Sequence, residues 1–574
     1  MGTTSRSTPS STISPPASAD ILSGFRGFFL SKRGRILREN LTAYLFLAPA
    51  GIVIFVFGIF PVGFALFVSL HRWRLVPGPY HGLENYTRAI DVLAYVGVLW
   101  LGIGALLTAA WLARRVWLRM AEHSERPLLW LLPSAVSGAG ALLFVRFTVL
   151  WLPELLDIGE KLKGQQRTDE LVMRLFGETF QVPAVSQAMW LSLVVLAVGG
   201  ALAVWVARTA PGKEPIYYYS NLVFITILVI IGAMVLLFGF NEVQSRYIVA
   251  AETGNELDIW TRIVTISAGL VLLGLAWFVW QKAGGQSSNL RTGLILLAAL
   301  TLMAGGWILA GELPRVIAAG DSNVYQGFLV TVSYSVGTVP AQLVIALFLA
   351  YLLFQGIRGQ SAFRMIYFIP YVTPAVASAA VFRIIFSNRP DSLANQVGGA
   401  IGMGPQQWLL EPRGVFELLA AGAGASLPAW AAGPSLSLVV IILFNIWTFV
   451  GYNTVIFLAG LGAIPAELYE AGRIDGGGRW ALFRHITLPL LSPTTFFLSL
   501  MGIIGTFKAF NHVWVLRNAA ALGTTDTVSI TIFLQFFRDA RLGYASALAF
   551  MLFAVILGLT LVQNRIAAKR VFYG

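Results

Sequence analysis

Apolar residues gather along this chain into runs of about 20 or more, divided by shorter polar or charged segments, and a helix of that length crosses the roughly 30 Å of a bilayer's hydrocarbon. Twelve such runs are readable, at 42–70, 92–113, 128–151, 187–207, 218–240, 262–280, 292–311, 327–354, 365–386, 436–460, 488–512 and 543–563. Within stretches such as 45–70 and 222–240 polarity does not alternate, which argues against a barrel and for helices. The pattern therefore predicts an all-α polytopic membrane protein with about twelve transmembrane helices.

The polar positions between the runs orient them, because loops rich in Lys and Arg stay on the cytoplasmic side. Lys32, Arg33, Arg35 and Arg38 precede the first run; alternate loops then carry Arg114, Arg115, Arg119 and Arg126, next Arg208 and Lys213, then Lys282 and Arg291, then Arg358 and Arg364. Arg473, Arg479 and Arg484, and finally Arg565, Lys569 and Arg570, complete the basic side. The intervening loops are acidic, with Glu154, Asp157, Asp169, Glu170 and Glu178 in one and Glu242, Glu252, Glu256 and Asp258 in another. Both termini are thus expected inside, in keeping with an even span count. The middle of the chain, about 91–320, reads as three successive two-helix hairpins.

Composition narrows the function classes. With 57% hydrophobic and 12% charged residues the chain belongs in a lipid bilayer, and its net charge of +13 is explained by basic cytoplasmic loops without nucleic acid. It has no cysteine, hence no disulfide and no thiolate metal site, and its five histidines show no metal-binding spacing, so no metal is expected. No Gly-x-x-x-x-Gly-Lys-Ser/Thr loop is present to cradle ATP phosphates, and no cofactor is expected on this chain. Residues 1–41 read as a cytoplasmic tail, rich in Ser, Thr and Pro over its first half and lacking the layout of a secretory signal.

The stretch "AIPAELYEAGRIDGGGRWALFRHITLPLLSP" at 463–493 carries the most information. Pro465 suits a helix start, where the dipole also favours Glu467 and Glu470. Gly476, Gly477 and Gly478 end that helix, since glycine adopts left-handed backbone angles cheaply. Trp480 and Phe483 then share one face of a second helix, with Pro489 opening the next span. The product is a stiff helix-turn-helix projecting from the membrane. Elsewhere Asn445, Trp447, Tyr452 and Asn453 form a polar and aromatic cluster able to hold a sugar by ring faces and amide hydrogen bonds, or to pack helices. Arg146, Arg383 and Lys508 fall toward predicted outer ends of spans, where they can reach water.

The 463–493 stretch resembles the EAA loop of ABC importer permeases: Glu-Ala-Ala, three residues, Gly, nine residues, then Ile-x-Leu-Pro. Here the positions are Glu470, Ala471, Gly472, then Gly476, then Ile486, Leu488 and Pro489, with Gly472 in place of the second alanine. The flanking words "FLAGLGAIPAELYEAGRIDGG" and "FRHITLPLLSP", with "LFLAPAGIVIFVFGIFPVGFALFVSLHRW" at 45–73, "GLENYTRAI" at 82–90 and "VSYSVGTVPAQLVIALFLAYLLF" at 332–354, are similar to the carbohydrate branch, the maltose and glycerol-phosphate type permeases. The resemblance implies a six-helix type I importer permease core, split between 42–90 and 327–574, with a six-span insertion at 91–320. It implies that the loop, through Glu470, Ala471, Gly472, Asp475, Gly476, Ile486, Leu488 and Pro489, docks on a separate ABC ATPase subunit dimer that binds ATP-Mg. It further implies a second permease chain and an extracytoplasmic solute-binding protein. The substrate pathway is expected at Asn445, Trp447, Tyr452, Asn453 and Asn511, for a sugar or related polyol. Two departures stand out: "VLRNAAALGTTDTVS" at 515–529 replaces the usual Gly-Gly-Pro outer turn, and Asn511 stands where relatives often carry an acid.

Other classes remain to be weighed. A twelve-span proton-coupled secondary transporter would place titratable acids within its spans, and none lies near the middle of one. A membrane-embedded sugar transferase would need paired carboxylates or a metal cluster on one membrane face, for which Glu470 with Asp475 is the nearest candidate.

Overall fold

The structure, a computed structural model, describes residues 32–122, 128–164, 168–209, 214–253, 257–284 and 288–570. The 1–31 part of the predicted tail and the loop charges Arg126, Lys213 and Glu256 lie outside them. Among the described residues, ten helices are long and apolar enough to cross a membrane, and twelve spans result if each of two bent helix pairs counts as one. The only β pairing there is two isolated bridges, His71 with Tyr80 and Gly414 with Ser435. Helices dominate because lipid offers no partner to backbone N–H and C=O groups, which must be satisfied within each segment.

The helices that matter below are α1 (Thr42–Ser69), α2 (Glu84–Ile90), α3 (Leu93–Glu122), α4 (Leu128–Lys161), α5 (Asp169–Thr179), α6 (Pro183–Thr209), α7 (Pro215–Thr253), α8 (Ile259–Ala283), α9 (Ser288–Ala319) and α10 (Ser322–Phe354). They are followed by α11 (Gln360–Val372), α12 (Ala375–Ile385), α13 (Leu436–Gly462), α14 (Ala466–Ile474), α15 (Arg479–Leu490), α16 (Ser492–Phe507), α17 (Asn511–Leu516), α18 (Val528–Arg538) and α19 (Leu542–Arg570). The chain divides into two compact units, one formed by residues up to Tyr80 together with Val330 onward, the other by His81–Leu329.

In the His81–Leu329 unit the packing partners are not the sequence neighbours that three successive hairpins would give. α3 packs mainly on α7 and α4 mainly on α6, the span that follows it, so that of the three expected hairpins only α8 with α9 is a principal pair among the described residues. Small residues decide this, since without a hydrophobic drive between helices in lipid, close backbone approach selects the partner. Gly102 of α3 and Gly232 of α7 face each other so closely that a methyl on either would stand about 3 Å from the other's carbonyl oxygen (3.2 and 3.1 Å). Gly199 of α6 meets Ser137 of α4, and Gly305 of α9 meets the Gly269 carbonyl of α8, in the same way. α2 is held by polar links: Arg246 of α7 pairs with Glu84 at 3.1 Å, and the Asp321 amide donates to the Ala89 carbonyl at 3.2 Å.

In the other unit, two of the predicted spans are broken. The span read at 365–386 bends by 95° between α11 and α12, because Pro374 keeps Thr373 in an extended conformation (φ −69°, ψ 143°) that no helix can continue through. The span read at 488–512 bends by 60° at Leu491, between α15 and α16, where Pro489 and Pro493 both remove backbone donors. It also stops at Phe507, five residues short of the expected end, so Lys508 lies at its C-cap.

Two apolar clusters stabilise this unit. Tyr334, Leu438, Ile441, Phe444, Val513 and Ile530 form one, and Ala346, Ala350, Phe457, Leu461, Leu491 and Leu498 the other. α10 and α13 each run from one cluster to the other, α16 runs from the second toward Ala509 of the first, and between the clusters they place the polar or small residues Gln342, Asn445, Thr448, Asn453, Gly502, Gly505 and Thr506.

Candidate functional site

Those intermediate residues enclose a cavity of about 440 Å³. Gln342 comes from α10, Tyr371 and Thr373 from the broken end of α11, Asn445, Thr448, Phe449, Tyr452 and Asn453 from α13, Gly502, Gly505 and Thr506 from α16, and Lys508 to His512 from the link into α17 and its first residues. The break at Thr373 has a role here: irregular backbone is tolerated at membrane depth only where it is buried in protein or lines a cavity. Glycine makes room, since nothing lies within 4 Å of where a Gly505 side chain would begin.

Four of the five residues expected to line a substrate pathway meet at this cavity: Asn445, Tyr452, Asn453 and Asn511. Trp447 does not. Its ring packs on Phe382 (centroids 5.2 Å apart) and Phe444 (6.0 Å), off the cavity lining. Asn445 is already engaged, its Nδ2 donating to the Tyr334 hydroxyl at 2.6 Å, and that oxygen lies 2.7 Å from His512 Nε2. Asn445 therefore braces α13 against α10 and α17. Asn453 and Asn511 have no hydrogen-bond partner among the described residues, which leaves their amides available at the cavity.

Tyr452 stacks on Tyr371 with ring centroids 4.6 Å apart and planes 22° from parallel, and both rings line the cavity. Gln342 is 3% exposed and its Oε1 accepts no hydrogen bond among the described residues. A buried acceptor left without a donor costs roughly 1–3 kcal/mol, so a turn of the Gln342 amide that brought Oε1 to a ligand hydroxyl in the cavity would relieve it. Sequence reading missed Tyr371 and Gln342: Gln342 is the one amide in the 327–354 run, whose other polar residues are hydroxyls, and that was the available signal. Tyr371 gave none, because only the 95° break turns it toward α13.

The 463–493 loop folds from its own glycines. α14 starts after Pro465 and ends at Asp475, and Gly476 takes a left-handed φ of +81°. The Gly477 amide then donates to the Gly472 carbonyl at 2.9 Å and the Gly476 amide to the Arg473 carbonyl at 3.0 Å, which is the paired pattern of a Schellman C-cap. Gly472 does more than weaken helix propensity. A methyl there would stand 2.6 Å from Leu482 Cδ2 and 3.0 Å from Ile486 Cδ1, so its absence lets α14 and α15 lie close together. Tyr469 adds a hydroxyl contact to Thr487 Oγ1 at 3.1 Å.

The loop's motif residues therefore separate into two sets. Gly472, Gly476 and Ile486 set its shape. Glu470, Ala471 and Asp475 are exposed, beside Ile474 at 86% and Trp480 at 69% exposure, while Leu488 and Pro489 are exposed where α15 approaches the bend. These large apolar side chains lie open beside Glu470, which has no ion pair among the described residues. Among the described residues no group of three or more His, Cys, Asp or Glu is placed to hold a metal ion.

Comparison with known proteins places this arrangement in context. Residues 342–571 match the binding-protein-dependent transport system inner membrane component family. The probable ABC transporter permease protein YesP of Bacillus subtilis (strain 168) is 30% identical over 257 residues, covering 44% of this chain and 75% of that one. The arabinooligosaccharides transport system permease protein AraP of the same organism is 29% identical over 284 residues, 48% of this chain and 82% of that one. The trehalose/maltose transport system permease protein MalF of Thermococcus litoralis is 27% identical over 256 residues, 45% of this chain and 78% of that one.

Proposed function

The chain belongs to the binding-protein-dependent transport system inner membrane components and is a permease subunit of an ABC importer, and on that premise we propose that its cavity conducts a sugar or related polyol and that its 463–493 loop receives the drive from a separate ATPase. The cavity carries the substrate reading. At about 440 Å³ it falls within the roughly 300–1,000 Å³ of small-molecule sites. It offers a stacked tyrosine pair for a ring face, free amides at Asn453 and Asn511, and the unpaired Gln342 acceptor for hydroxyls. The names of AraP and MalF, both oligosaccharide or disaccharide permeases, favour the same class.

Coupling rests on the loop. Glu470 and Ile474, one turn apart on α14, and Trp480 at the start of α15 are exposed on either side of the Gly476–Gly477 cap, and such side chains fit a groove on an ATPase subunit dimer that binds ATP-Mg. A second permease chain would complete the pathway and an extracytoplasmic binding protein would deliver the solute, with the basic loops and both termini on the cytoplasmic side. The division of the chain at Tyr80 and Val330 supports a permease core interrupted by a membrane insertion. A family of transport permeases leaves no place for the secondary-transporter and sugar-transferase readings.

The test is a detergent pull-down of the tagged chain, wild type and Glu470→Lys, followed by identification of co-purifying subunits and an ATPase assay. Wild type should bring down an ATPase and a second permease, and the charge reversal should lose or uncouple the ATPase. Recovery of wild-type chain with no ATPase would end the coupling proposal.

A further inference from the structure

We propose that Lys508 makes the cavity selective for saccharides that carry an anionic group, a carboxylate or a phosphate; this deepens the sugar-transport reading and rests on it. Lys508 sits at the C-cap of α16 and is the single formally charged residue in the cavity lining. It has no ion pair and no hydrogen-bond partner for its side chain among the described residues. The helices that build the cavity could not supply one, because 322–354, 360–385, 436–462 and 492–507 contain neither Asp nor Glu.

The acids nearest in sequence are already committed. Asp526 is held by both ends of the Arg517 guanidinium, with Nη2 at 2.9 Å from Oδ2, and Asp539 by Arg538 at 2.9 Å. Lys508 is exposed, so its ammonium is accessible from the cavity and unpaired, and the α16 C-terminus beside it favours the positive charge. A substrate anion would pair with this accessible cation in the same cavity where Asn511 and Asn453 present free amides to its hydroxyls. A neutral sugar would gain no such pair, and a cationic one would be repelled.

The experiment uses the complex recovered from native membranes with the tagged full-length chain and its binding protein, placed in proteoliposomes with ATP inside. Three probes are compared: pectin-derived oligogalacturonates, their carboxyl-reduced neutral counterparts, and hexose phosphates. Wild type should accumulate one of the anionic probes in preference to the neutral sugars, and which one separates carboxylate from phosphate. Lys508→Gln should lower the anionic-to-neutral ratio about tenfold, equivalent to ~1.4 kcal/mol, while Lys508→Arg should keep it. Because the same binding protein delivers to every variant, a change in the ratio belongs to the cavity. Equal or preferential uptake of the neutral sugars, or a ratio unchanged by Lys508→Gln, would overturn the proposal. Failure of the permease reading itself would look different, since no ATPase would then accompany even the wild-type chain.

Discussion

Replacing Gly476 by alanine isolates a single physical effect in the coupling loop. Gly476 has φ +81°, and nothing lies within 4 Å of where a side chain would begin, so the substitution introduces no clash. What it adds is the steric cost of an L-residue in left-handed backbone, about 1–2 kcal/mol. The Gly476 and Gly477 amides close the cap on α14 through that conformation, and a helix of nine residues has little else to hold its end. A cost near 1.4 kcal/mol should raise the frayed population of the cap about tenfold. Gly478 is the control, because its φ is −73° and its surroundings are also open, so Gly478→Ala should cost almost nothing. Hydrogen exchange of the 472–478 amides in the detergent-solubilised chain reads the cap directly, and substrate-stimulated ATPase activity of the recovered complex reads its consequence. Faster exchange and weaker stimulation are expected in Gly476→Ala alone. Equal behaviour of the two variants would refute the claim that the left-handed turn at Gly476 is what holds the loop in shape.

Two further outcomes follow from the cavity and its walls. Gly451→Ala should lower the thermal stability of the purified chain by the equivalent of about 1–3 kcal/mol, because the added methyl runs into the Tyr367 backbone carbonyl where α13 crosses α11, and backbone cannot swing aside; an unshifted melting temperature would contradict that crossing. Gln342→Leu should leave stability equal or higher, since it removes a buried acceptor without a partner, yet reduce sugar uptake several-fold. A stability loss with uptake intact would show that Gln342 serves the fold and not the ligand.

Much of this architecture was legible in the chain because the bilayer imposes one strong rule, a continuous apolar run for each crossing, and each of the twelve runs corresponds to a helix or a bent helix pair. The loop was equally readable, since Pro465 and Gly476 to Gly478 act through local backbone geometry that needs no partner. Packing was not. Which spans touch depends on where small residues such as Gly102 and Gly232 meet across more than a hundred positions, and periodicity carries no such information. The breaks at Thr373 and Leu491 were written in Pro370, Pro374, Pro489 and Pro493, yet proline is common enough in membrane helices that its presence does not say whether a helix kinks or breaks. Cavity membership turned on those breaks. Tyr371 and Lys508 join it because the helices stop where they do, and Trp447 leaves it because its ring finds Phe382.

The 60° bend at Leu491 has a mechanical consequence. α15 rises from the exposed loop to the bend, and α16 continues from it, through 16 residues, to the cavity wall at Gly502, Thr506 and Lys508. At 1.5 Å per residue that second arm is about 24 Å long, so a tilt of about 5° about the bend carries Lys508 through roughly 2 Å. A push on the loop that tilted both arms as one rigid piece would therefore move the cavity wall by about that distance.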